Sequence, residues 1–190
     1  MSQLIKPFHL TPFEKSINQK ANINWDDTIG YINDRNLGTE SWDDMRWVHY
    51  GCRVYNNANI SITTSGVSQA LTFNSEQYDD FAIHSTSVNT SRLTAPRTGV
   101  YHIFGHVEFA VNATGSRLIV IYFNGTTDIA VEGKTAMGGG LGTFCSVSTI
   151  YPLAVGEYVE LVVNQTSGGA LNVISAGNRS PEFGMMYVGE

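Results

Sequence analysis

An all-β sandwich or jelly roll is predicted for most of this chain on three observations. Short segments of alternating apolar and polar residues recur from about residue 52 onward, separated by Asn-Gly, Gly-Gly, Pro and Ser-rich breaks. Tyr, Phe and Gly number 9, 9 and 19, which suits pleated strands and tight turns. Charged residues make up only 15% against 42% hydrophobic, which excludes a charged coiled coil and a disordered chain. A length of 190 residues corresponds to one compact domain with an additional segment.

The additional segment comes first, over residues 1–50. Thr11-Pro12-Phe13-Glu14 reads as a capping box with Pro at the first helical position, starting a short helix toward Lys20. Trp25, Ile29 and Ile32 repeat at i, i+4 and i+7, the spacing of a second amphipathic helix. Ser41-Trp42-Asp43-Asp44 opens a third short turn, and Trp47 follows it. A segment this small holds no core of its own and must pack on something else. Trp25, Ile29, Ile32, Trp42 and Trp47 are therefore candidate docking anchors, flanked by acids that complement a basic partner surface. The same acids also suit helix N-termini, where they oppose the dipole.

The β domain spans residues 51–190. Strands are expected at 53–62, 69–73, 91–95, 100–110, 118–124, 144–151, 158–164, 170–174 and 182–188. Within the fourth, period two places Tyr101, Ile103, Val107 and Phe109 on one face. His102, Phe104, His106 and Glu108 fall on the other. Two His and a Glu on one face form either a polar interface or part of a metal site. No fourth ligand is evident, so no metal is assigned.

Most chemistry is excluded by composition or spacing. A net charge of −6 with 11 Lys and Arg argues against nucleic acid as a partner. No apolar run is long enough to span a bilayer, and the first residues lack the apolar stretch of a secretory signal. Cys52 and Cys145 allow at most one disulfide and fit no metal spacing; buried thiols in a reducing compartment are expected. Gly133-Lys134-Thr135 resembles the end of a phosphate loop, but Asp128 stands where its first Gly is required. There is no Gly-x-Ser-x-Gly elbow. No catalytic residue and no cofactor is assigned.

The run Leu93-Thr94-Ala95-Pro96-Arg97-Thr98-Gly99-Val100-Tyr101-His102-Ile103-Phe104-Gly105-His106-Val107 resembles the signature of the C1q/TNF-like jelly-roll superfamily. Asn124-Gly125, Leu153-Ala154-Val155-Gly156-Glu157-Tyr158-Val159-Glu160-Leu161 and Phe183-Gly184-Met185-Met186 resemble its later turn and strands, in order. Two departures are that Ile103-Phe104 breaks the family's aromatic alternation and Glu157 replaces its usual Asp. The resemblance implies a ten-stranded jelly roll assembling as a homotrimer, with Tyr101, His102, Phe104 and His106 as interface candidates. No calcium site of animal members is carried over.

The Ser/Thr/Asn-rich strands and short N-terminal segment resemble tailed-bacteriophage virion proteins that carry this domain. The implied function is non-enzymatic: a trimeric decoration or fibre protein on the virion surface, made in the bacterial cytoplasm. Its partners are then itself and the major capsid or tail proteins. An alternative is a receptor-binding head for a host surface glycan. Its outer loops, near 78–84 and 132–144, supply Tyr78, Asp79, Asp80 and His84 as ligand candidates. A polysaccharide hydrolase working through the Asp79-Asp80 carboxylates is the weakest reading.

Overall fold

Alternation of apolar and polar side chains is realised most fully at the centre of the larger sheet. The computed structural model describes residues 50–190, so the three expected helical pieces and the anchors Trp25, Ile29, Ile32, Trp42 and Trp47 lie outside the described residues. Twelve strands occur among the described residues. The first six are β1 (Gly51–Tyr55), β2 (Ile60–Ile62), β3 (Gln69–Ala70), β4 (Ser75–Asp79), β5 (Arg92–Thr94) and β6 (Gly99–Phe109). Then come β7 (Ser116–Phe123), β8 (Thr127–Thr135), β9 (Thr143–Leu153), β10 (Tyr158–Gln165), β11 (Leu171–Val173) and β12 (Glu182–Gly189). A 3₁₀ turn, Gly177–Arg179, precedes β12.

Two antiparallel sheets result. The larger orders its strands β2-β11-β6-β12-β1-β4, with β9 also paired to β6; the smaller runs β3-β10-β7-β8, with β5 also on β10. β6 pairs with β9 along all of its length, from Gly99 opposite Leu153 to Phe109 opposite Thr143. Its other edge is taken by β12, then by β11 at Phe109. Residues at odd positions of β6 are buried and those at even positions are half-buried or exposed, matching the two faces read from the sequence.

The core lies between the sheets. Tyr101, Ile103, Phe109, Phe183 and Met185 from the larger sheet meet Ile119, Ile121, Val159, Leu161 and Val163 from the smaller, all fully buried. Gly105 makes room for this contact: a Cβ there would stand 2.5 Å from Leu161 Cδ1. Arg117 is also fully buried, and among the described residues no carboxylate pairs with it. It donates instead to the carbonyls of Asn112, Thr114 and Ser116 at 2.9–3.0 Å, tying down the β6–β7 loop. Burial pulls its guanidinium below the ordinary value.

The structure corrects several strand expectations. The predicted strand 53–62 breaks at Asn56, whose Oδ1 accepts the Ala58 N–H while its Nδ2 donates to Thr72 O. β4 and β8 fall where loops are expected, so Asp79 ends a strand and Glu132 sits within one. The count of twelve exceeds the ten implied by the resemblance, since β2, β3, β5 and β11 are pieces of only two or three residues. Cys52 and Cys145 are free and buried. β12 and β6 lie between their strands, about 14 Å of sheet, which is too far for a disulfide.

Gly115 tests the packing of one sheet end. Its φ is +75°, and an added Cβ would collide with the backbone carbonyl of Thr166. Gly115→Ala should cost at least about 2 kcal/mol, read as a lower urea midpoint at an unchanged slope. An unchanged midpoint would contradict this packing.

Candidate functional site

The even-numbered side chains of β6 share the outer face of the larger sheet with residues from β9 and β12. His102 lies opposite Ile150 and Met186, and Phe104 opposite Ser148 and Gly184. Phe104 uses Gly184 as a floor, because any Cβ there would clash with its ring. Ile150, Val188 and Met186 are 65%, 51% and 39% exposed, so this half of the face is an apolar patch with one imidazole in it. A groove of about 440 Å³ runs on from it between His102, Phe104, His106, Ser146 and Ser148.

The other half of the face is polar. Arg53 of β1 donates to both carboxylate oxygens of Glu182 on β12, at 2.8 and 2.7 Å. That bidentate contact raises the Arg53 guanidinium above its ordinary value. Beyond it, where Glu108 lies opposite Phe144, a cavity of about 240 Å³ opens between β6, β8, β9 and the 3₁₀ turn. Its wall includes His106, Glu108, Lys134, Phe144, Cys145 and Arg179.

Charges in the cavity wall are paired. Lys134 Nζ lies 2.9 Å from Glu132 Oε1 and donates to Phe144 O at 3.0 Å. Burial alone would raise the Glu132 carboxyl, but hydrogen bonds from Lys134 and from Ser146 N outweigh it and hold the group below its ordinary value. Arg179 Nη2 lies 3.1 Å from Glu108 Oε2. Burial pushes the Cys145 thiol up to about 11, so it stays protonated at neutral pH and is a poor nucleophile.

The sequence-predicted residues separate on the structure. His102, Phe104 and His106 do share the outer face of β6. Tyr101 does not: it is fully buried between the sheets, and its hydroxyl donates to Arg97 O at 2.7 Å, which withdraws it from any interface. His84 is likewise withdrawn from the outer surface, because its side chain is fully buried. Its Nδ1 lies 2.8 Å from Glu76 Oε1 and its Nε2 3.2 Å from Thr90 O. Asp79 is committed to the backbone, accepting the N–H groups of Ile83 and His84 at 2.9 and 3.0 Å. Tyr78 and Asp80 remain exposed, on the edge strand β4 and just past its end. Sequence spacing does not bring Glu108, Lys134, Phe144 and Arg179 together, because four separate segments supply them.

No protein-family model matches this chain, and no curated protein does. Solved structures do. Murine APRIL at pH 8.5 aligns with a TM-score of 0.53 and 10% identity, covering 74% of this chain and 99% of that one. Murine APRIL at pH 5.0 gives 0.54, again with 10% identity and coverage of 74% and 99%. Eiger TNF from S. frugiperda gives 0.52 at 11% identity, covering 75% of this chain and 94% of its own. The fold is a TNF-like jelly roll. At such identities the likeness carries the fold and nothing finer.

That jelly roll places strain in the loop after β4. Phe81, Ala82 and Asn89 adopt φ of +78°, +52° and +51°, a region L-residues occupy at a cost. The Asp79 carboxylate holds the first two by its bonds to the next amides. Asp79→Ala should cost about 1–2 kcal/mol and speed hydrogen exchange at Ile83 and His84. Unchanged exchange there would show that the loop is held by something else.

Proposed function

We propose that this chain is a structural protein of a bacteriophage particle, a homotrimer displaying its jelly-roll head while residues 1–50 grip the capsid or tail. The observation that carries the self-association is the patch of Phe104, Ile150, Met186 and Val188 on one open sheet face. Apolar side chains grouped this way mark an interaction surface. A second copy of the chain is the simplest cover. Three copies joined head to tail close into a ring, leaving no open interface.

The placement on a particle rests on the sequence alone: a Trp-bearing acidic segment before the β domain, and Ser/Thr/Asn-rich strands. Trimeric display converts weak contacts into firm adhesion or shell stabilisation by avidity. This reading needs no catalytic step.

Native mass spectrometry of the full-length protein should give three times the chain mass. Ile150→Asp combined with Met186→Asp should shift it to monomer with circular dichroism unchanged; a wild-type monomer would refute the trimer. A second experiment addresses the particle. Replacing Trp25, Trp42 and Trp47 with Ala should leave the trimer folded but absent from assembled particles, and undiminished incorporation would remove the anchor.

A further inference from the structure

The cavity beside Glu108 meets the groove that runs on from the apolar patch at His106 and Ser146, but it has its own chemistry. Glu108 is four residues from Phe104 of the patch on the same strand, about 13 Å. Glu108 Oε2 is buried and makes no hydrogen bond among the described residues; Arg179 Nη2 stands near it without the alignment of one. Lys134 directs two of its three N–H donors to Glu132 and to Phe144 O, which leaves the third unassigned. Phe144 is 45% exposed, and the Arg179 guanidinium stands 5.9 Å from its ring centroid on a side chain that is 68% exposed. The result is a small hollow with one apolar wall, one unused acceptor and unused donors.

The charge arrangement selects among ligand classes. An anion would meet the Glu108 carboxylate, whose Oε2 accepts no hydrogen bond among the described residues. A cation would meet Lys134 and Arg179. A neutral molecule rich in hydroxyl groups meets neither obstacle, because each hydroxyl both donates to Glu108 Oε2 and accepts from a cationic side chain. The Phe144 ring adds a flat apolar platform of the kind that accepts the C–H face of a sugar ring. A volume of about 240 Å³ suits one ring, not an extended ligand. Binding requires the largely exposed Arg179 side chain to turn aside, uncovering the Phe144 face and Glu108 Oε2, which is closed to solvent while Arg179 stands 3.1 Å from it.

We propose that this cavity binds a neutral pyranose unit of a glycan, with Glu108 as hydroxyl acceptor, Lys134 and Arg179 as donors and Phe144 as stacking platform. The site lies away from the Tyr78 loop, and every residue in it comes from one chain.

Saturation-transfer and titration NMR on the full-length protein test this with methyl glucopyranoside, methyl galactopyranoside and N-acetylglucosamine. Glucuronate and glucosamine serve as charged comparators. At least one neutral sugar should bind at millimolar concentration and shift the signals of Phe144 and Lys134. Glu108→Gln and Phe144→Ala should each weaken binding about tenfold at unchanged native mass and circular dichroism. Tyr78→Ala and the Ile150→Asp, Met186→Asp double variant should bind as wild type. Silence from all three neutral sugars would overturn the proposal. So would preference for glucuronate, or a loss that follows Tyr78 instead of Phe144.

Discussion

Strand β6 must keep its alternation in register with two neighbours at once, and the rest of the sheet depends on that. A one-residue slip against β9 or β12 would turn His102, Phe104, His106 and Glu108 into the core and Tyr101, Ile103 and Phe109 into water. Gly105 sharpens the constraint, because Leu161 of the opposite sheet enters the space left by its missing side chain. The two sheets are thereby fixed relative to each other at one point near the middle of the sandwich. Tyr101 adds a second fixed point, with its ring in the core and its hydroxyl bound to Arg97 O.

With the core filled from the inner face, the outer face is free to vary along its length. It does so sharply. Toward β6's start it carries Ile150, Met186 and Val188, and toward its end the Arg53–Glu182 pair and the charged rim of the Glu108 cavity. Ion pairs there are partly solvent-exposed, so they add little to stability but keep that end wet. An apolar cover would settle on the first half without burying unpaired charge, whereas extending it over the second would desolvate Arg179 and Lys134. The boundary between the apolar and polar halves of this face is thus written in the same strand that organises the core.

Much of this architecture is legible in the amino-acid sequence, for a physical reason. β6, β9, β10 and β12 bury one face each, so their sequences carry a period-two signal that turns and polar residues delimit. β4 and β8 sit at sheet edges and present Ser75-Glu76-Gln77-Tyr78-Asp79 and mostly exposed residues from Thr127 to Thr135. Strands held chiefly by backbone bonds to a single neighbour need no alternation, and they read as loops. Tyr101 is placed by its sequence position on the correct face of β6 but in the wrong role, since the family resemblance suggests an interface while the alternation already turns it inward. His84 looks like a loop ligand because its partners, Glu76 and Thr90 O, are reached only by the fold of the loop. The Glu108 cavity is invisible in the sequence for the same reason: only Glu108 opposite Phe144 follows from strand pairing, and Lys134 and Arg179 arrive from β8 and the 3₁₀ turn.

A cavity that holds one sugar ring yields a weak contact by itself, because a single small ligand returns little beyond the cost of its immobilisation. Its location changes that arithmetic. Phe104 of the apolar patch stands four residues from Glu108, about 13 Å along β6, so copies joined through the patch as proposed would present several cavities at fixed spacing where their contact stops short of His106. Linked sites raise overall avidity by orders of magnitude when the target repeats at a compatible distance, and not otherwise. A surface polysaccharide is such a target. The proposed weak recognition and the proposed self-association on one sheet would therefore be complementary, with the second supplying the strength that a neutral, single-ring pocket lacks.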